Sequence, residues 1–222
     1  MAVTQEDQAY NKIKVAISKG YIKKGSKLTE VALATTLNMS RATVKNAIKR
    51  LVFEGLAEHV PNKGVSVANP TLKEINQTFQ VRAHLEQMAL YQAADNLFPD
   101  DFKTLFALIK EEENLFKDRE MKGYHEINNA FHLKIAEKSD NKVLVHYVKE
   151  LLQKTTIYLV LADPFYQLLE SKHLSPSEHR QILRFLEEKK IEEAGQAMKH
   201  HLESTMHGIE EDQLLPSDYL TV

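Results

Sequence analysis

The sequence predicts a mainly α protein: an N-terminal winged helix-turn-helix followed by an all-α bundle of six to seven helices. Three observations predict it. Residues 5–55 hold three short apolar-periodic segments punctuated by Gly20, Asn38 and Gly55, and two β-type runs follow around Pro61-Asn62-Lys63-Gly64. From residue 71 onward nearly every segment has helical periodicity. Charge divides the same way: residues 1–70 carry 11 Lys and Arg against 5 Asp and Glu, leaving 18 against 26 for the remainder. A basic first third on an acidic body fits a domain that meets a polyanion joined to one that does not.

The 222 residues suffice for two domains, and Asn69-Pro70 marks the boundary, giving 1–69 and 70–222. The absence of cysteine removes disulfide frameworks and thiolate metal sites. Neither a signal-peptide pattern nor an apolar run of about 20 residues is present, so a soluble, cytoplasmic protein without membrane partners is expected.

In the first domain, Ala9, Ile13, Ala16 and Ile17 line one face of a helix from Thr4 to Lys19, which Gly20 stops. Thr29 is a candidate cap for a second helix through Leu37. Ser40 is the cap expected for a third, RATVKNAIKRLVFE, ended by Gly55. Val44, Ala47, Ile48 and Leu51 form the apolar face of that helix, while Arg41, Lys45, Lys49 and Arg50 lie at its start or on its polar face. Two short helices joined by a tight turn, the second basic and followed by a hairpin, form a winged helix-turn-helix. Such a recognition helix enters the major groove by its N-terminal end, where Arg can bond guanine bidentately and Lys or backbone N–H groups hold phosphate. Ser40, Arg41, Lys45, Lys49, Lys63 and Gly64 are the DNA-binding candidates, the last two at the wing tip. A solvated basic face would explain one isolated helix. The order of all four elements favours double-stranded DNA.

In the second domain, helices are expected from Thr71 to Asn96, Pro99 to Arg119, Met121 to Lys138 and Lys142 to Leu161. A short one follows over Phe165–Ser171, then two more from Ser175 to Lys189 and from Ile191 to Glu211. Asn128 and His132, four apart, share a helix face. His179 falls in the stripe with Ile182, Leu183 and Leu186, and His201 in the stripe with Ala194 and Met198. Both lie 11 residues from the turn at Lys190, so an antiparallel hairpin sets them level. Buried histidines usually satisfy neighbours, but three on inward faces point to a first-row metal site. Glu178 is explained as the third residue of a capping box begun by Ser175. Arg82 and Glu86, four apart, form either a surface ion pair of little energetic value or, through Arg82, a carboxylate anchor for an effector.

The run G-Y-I-K-K-G-S-K-L-T-E through M-S-R-x-x-V-K-x-A-I-x-R-L-x-x-E-G-L and N-K-G-V resembles the GntR-family winged helix. The motifs V-R-A-H-L-E, N-x-x-F-H, S-D-N, E-H-R-Q-I-L and A-x-x-x-M-x-x-H-L resemble the FCD ligand-sensing domain of its FadR-type members. The resemblance implies a homodimeric transcription regulator, a repressor in the favoured sense, acting on operator DNA under a small organic acid. It implies DNA contacts from Arg41, Lys45, Lys63 and Gly64. It also implies a divalent metal (Zn, Ni or Mn) at Asn128, His132, His179 and His201, where relatives carry Asp and three His; with Asn the site loses a negative charge and is expected to bind metal less tightly. Thr43 and Lys45-Asn46 depart from the family's Pro and Arg-Glu, so its operator sequence does not transfer. No catalytic residue is expected. The alternatives are a metal-dependent hydrolase fused to a DNA-binding domain, for which the histidine motifs offer no free general base, and a regulator with a purely structural metal.

Overall fold

The computed structural model describes residues 3–118, 120–162 and 175–213. They form two compact units, one of Met1–Thr71 and the other beginning at Leu72. The first unit also takes in the end of α7 (Lys142–Ala162), from Ile157.

In the first unit, α1 (Gln5–Ser18) opens with a capping box in which Thr4 Oγ1 accepts from the Asp7 N–H and the Asp7 carboxylate accepts from the Thr4 N–H. Its buried face is Ala9, Tyr10, Ile13 and Ile17. Helix α2 (Glu30–Leu37) ends at Asn38 in the left-handed region, the turn that aims α3 (Arg41–Phe53). Thr29 occupies the N-cap position of α2, but its side chain makes no capping hydrogen bond. Ser40 does cap α3, its Oγ accepting from the Thr43 N–H at 3.1 Å.

Strands β1 (Ala57–Val60) and β2 (Gly64–Val67) pair antiparallel from Ala57↔Val67 to Val60↔Gly64. The turn uses positive φ at Asn62 and Gly64. The link before α2 adds a third edge that the sequence reading missed. Lys27 bridges Ser66, the Leu28 N–H donates to Val65 O, and the Val67 N–H donates to Ser26 O. Val44, Ala47, Ile48 and Leu51 of α3 pack with Ile13, Ile17, Leu56 and Val67 into one core, which Leu161 of α7 joins.

The second unit holds α4 (Leu72–Ala93), α5 (Pro99–Lys117), α6 (Met121–Glu137), the start of α7 (Lys142–Ala162), α8 (Ser175–Glu187) and α9 (Ile191–Gln213). Thus six helices of the bundle stand among the described residues; the expected Phe165–Ser171 helix lies outside them. Pro99 begins α5 as a first-turn proline. Lys189, in the left-handed region, turns α8 back along α9. Leu90, Leu105, Ile109, Phe131, Ile135, Ile182, Leu183, Ala194 and Met198 form the bundle core. Helices α4 and α9 come close enough that a Cβ on Gly195 would lie 2.4 Å from the Tyr91 ring.

Candidate functional site

The candidate DNA-reading face belongs to the first unit. Ser40, Arg41, Lys45, Lys49, Lys63 and Gly64 are all exposed. Arg41 lies only loosely paired, its Nη2 4.0 Å from Glu30 Oε2. Arg50 is differently employed: its guanidinium stacks 3.8 Å over the Tyr10 ring and bonds Asp7 Oδ1 and Glu54 Oε1, each at 3.1 Å. The Tyr10 hydroxyl in turn donates to Glu54, which also pairs with Lys14. Burial and the Glu54 carboxylate together push the Tyr10 phenol upward, so it stays a donor. This cluster ties the end of α3 to α1 and leaves the N-terminal end of α3, with Arg41 and Lys45, facing solvent.

The histidine centre belongs to the second unit. His132 from α6, His179 from α8 and His201 from α9 are each at most 2% exposed. Their Nε2 atoms converge: His179 Nε2 lies 3.3 Å from that of His132 and 3.2 Å from that of His201. The hairpin does set His179 and His201 level. Behind each ring stands a carboxylate at Nδ1. Glu112 Oε2 lies 2.9 Å from His179, Glu178 Oε2 2.7 Å from His201, and Glu86 Oε2 2.5 Å from His132, the last off the aligned hydrogen-bond direction. Phe131 stacks on His179, with centroids 4.1 Å apart, and fixes its plane.

A carboxylate at Nδ1 holds the proton on that nitrogen and leaves the Nε2 lone pair pointing inward. Burial lowers the His132 imidazole from 6.5 to about 3, against the pull of Glu86. Burial and the neighbouring His179 lower His201 as well. The centre therefore gathers three imidazoles, His132 and His201 among them held neutral, with their Nε2 atoms converging on a point suited to a cation. A tetrahedral ion at 2.0–2.1 Å from each ligand requires donors about 3.3 Å apart, as two of these three pairs are. The donor set fits a borderline divalent metal.

Asn128, one turn before His132, gives its Nδ2–H to Glu112 Oε1 at 2.9 Å. Arg82 and Glu86 are buried, at 4% and 2% side-chain exposure, so the surface-pair reading is wrong. Arg82 Nε meets Glu86 Oε1 at 2.5 Å, and Nη1 donates to Thr155 Oγ1 at 2.8 Å. Nη2 is buried with no hydrogen-bond partner. The Arg82 charge helps to hold His132 and His201 neutral, which puts it electrostatically within the same centre.

Glu178 has a role beyond the capping one expected of it, since its Oε2 pairs with His201 Nδ1. Glu112 escaped the sequence reading entirely. Its signal was there in Leu105, Ile109 and Glu112, a buried stripe at helical spacing with a carboxylate as its third member. Of the remaining histidines, His59, His200 and His207 are exposed, and His173 lies outside the described residues.

Comparison with known proteins agrees with both units. The family described as "Bacterial regulatory proteins, gntR family" matches residues 5–67, and the FCD domain matches residues 77–204. The protein belongs to the GntR family and carries an FCD domain. It is similar to the uncharacterized HTH-type transcriptional regulator YdhC of Bacillus subtilis, 26% identical over 92% of each chain. It is 28% identical to the HTH-type transcriptional regulator McbR of Escherichia coli over 65% of each. The solved structure of E. coli McbR/YncC shares the fold, with a TM-score of 0.68 at 22% identity over 96% of this chain and 100% of that one. This GntR/FCD protein is thus a DNA-binding transcription regulator and not an enzyme. No helix among the described residues is long and apolar enough to cross a membrane.

Proposed function

We propose that this regulator is a homodimeric repressor whose hold on its operator is set by a small organic acid bound at a divalent metal, Zn, Ni or Mn, in the FCD domain. His132, His179 and His201 would hold the ion through Nε2, with Asn128 adding its amide oxygen. The observation that carries this reading is the convergence of three Nε2 atoms, with that of His179 3.3 Å from His132 and 3.2 Å from His201, each imidazole backed by a carboxylate. When bound, the ion would supply a positive centre with open coordination positions suited to a hard anionic ligand.

Arg82 supports the choice of an acid. A buried guanidinium whose Nη2 is unpartnered is costly, and a carboxylate arriving there would satisfy it with a charge-assisted bond. A hydrolase would need a free base, but the three carboxylates at the centre are each held against a histidine. Dimerisation follows from reading length: a single recognition helix contacts few base pairs, and two-fold symmetry doubles the site.

Ligand–operator coupling of this kind is typically about 1–3 kcal/mol, roughly 5- to 150-fold in affinity, and it is reciprocal. Calorimetry of candidate acids into metal-loaded protein, with and without operator DNA, should give the same factor from both directions. Acids that bind while operator affinity stays constant would show that the centre is not the switch, leaving a structural metal.

A further inference from the structure

The ligand set proposed above is electrically neutral, three imidazoles and one amide, yet the residues around it are not. Glu112 is 1% exposed and stands between two of the four ligands. Its Oε2 accepts from His179 Nδ1 and its Oε1 accepts from Asn128 Nδ2, both at 2.9 Å. A carboxylate can only accept, so it dictates the orientation of both partners. The His179 ring must carry its proton on Nδ1. The Asn128 amide must turn its nitrogen toward Glu112, which leaves Oδ1 as the one atom it can offer to an ion.

We propose that Glu112 is the charge-supplying and orienting residue of the metal centre, performing through Asn128 and His179 what an anionic ligand would perform directly. The inference rests on the metal reading above and adds to it a specific division of labour. Charge sits one bond network away from the ion, and the direct ligand at position 128 stays neutral.

The pairing has a strict donor–acceptor logic. In Glu112→Gln the new side chain keeps one oxygen for His179 and turns an NH2 toward Asn128. The two amides then face each other nitrogen to nitrogen unless Asn128 flips, and the flip removes its oxygen from the ion. In Asn128→Asp two buried carboxylates face each other without a donor between them. Glu112 also hydrogen-bonds the Tyr124 hydroxyl, which can donate or accept; in the double variant Glu112→Gln/Asn128→Asp the chain from His179 through position 112 to position 128 again matches donor to acceptor. His179 donates to the Gln oxygen, the Gln NH2 donates to one Asp oxygen, and the other Asp oxygen is free for metal.

The test is zinc affinity of the full-length protein, measured by competition with a chromophoric chelator, alongside the melting temperature of the zinc-free form. Glu112→Gln should bind zinc about 10- to 100-fold more weakly than wild type, the usual loss when an outer partner of a ligand is removed. The double variant should return to the wild-type affinity. Asn128→Asp alone should melt below wild type when zinc-free. Should Glu112→Gln fail to fold, the double variant, with that chain restored, must still fold and bind. Wild-type zinc affinity in Glu112→Gln, or no recovery in the double variant, overturns the role of Glu112 while leaving the metal centre standing. If wild type itself takes up no zinc, manganese or nickel, the metal reading falls and this inference with it.

Discussion

Acidification should destabilise the metal-free protein in a way traceable to one histidine. His132 is buried, and its imidazole titrates at about 3 in the folded state against 6.5 when free of the fold. Between those values the unfolded chain binds a proton that the native chain does not, so stability falls as pH falls. From pH 7.5 to pH 5.0, linkage over these two values gives a loss of about 2 kcal/mol from His132 alone. His201 shifts in the same direction and adds to the loss. Glu86 and Glu112 are held below the ordinary carboxylate value of 4.5, so their contributions are lost mainly at more acid pH. The measurement is urea unfolding of chelator-treated protein at the two pH values, in wild type and in His132→Gln. Gln cannot take up the proton but can still donate to Glu86. The pH-dependent loss in the variant should be about 2 kcal/mol smaller than in wild type. An equal loss in both proteins would refute the reasoning, because the titrating group would then lie elsewhere.

Three further outcomes are expected. Arg41→Ala should weaken operator binding by about 1–3 kcal/mol and relax preference at one base position, read by fluorescence anisotropy on operator variants; wild-type binding by the folded variant would remove Arg41 from the interface. Ser40→Ala removes the acceptor for the Thr43 N–H and should lower stability by about 1 kcal/mol in chemical denaturation, with the melting temperature falling in step. Loading with zinc to 100 times its dissociation constant should stabilise wild type by about 2.7 kcal/mol, and chelation should reverse this. His179→Ala should show neither response, and a chelator that leaves the melting temperature of zinc-loaded wild type unchanged would contradict metal binding.

What the sequence disclosed and what it hid separate by range. Helix spacing, the Ser40 cap, the first-turn Pro99 and the hairpin turn at Asn62-Lys63-Gly64 are local signals, and the helices and strands lie within a few residues of where those signals put them. His179 and His201 were legible because a tight hairpin turns counting from Lys190 into distance. Glu112 was legible only as a carboxylate on an apolar stripe; its role was not, since its partner His179 stands 67 residues away on another helix and no local pattern couples them. For Arg82 and Glu86 a surface pair stayed open beside the effector anchor because i, i+4 spacing is blind to which side of a helix is covered. The Lys27–Ser66 bridge was hidden in the same way, joining a segment that reads as a plain loop to a strand about 40 residues on.

The cluster that fastens α3 to α1 has a consequence for how this reading head can diversify. Asp7, Tyr10, Arg50 and Glu54 hydrogen-bond or stack as one unit across two helices. Removing any one strands a charge or a hydroxyl on the others. These four positions should drift together across lineages, arriving as alternative sets and not as single changes. Arg41 and Lys45 carry no such tether. If Arg41 and Lys45 read the operator as proposed, single substitutions at the leading end of α3 should change its preference while the trailing end stays fixed.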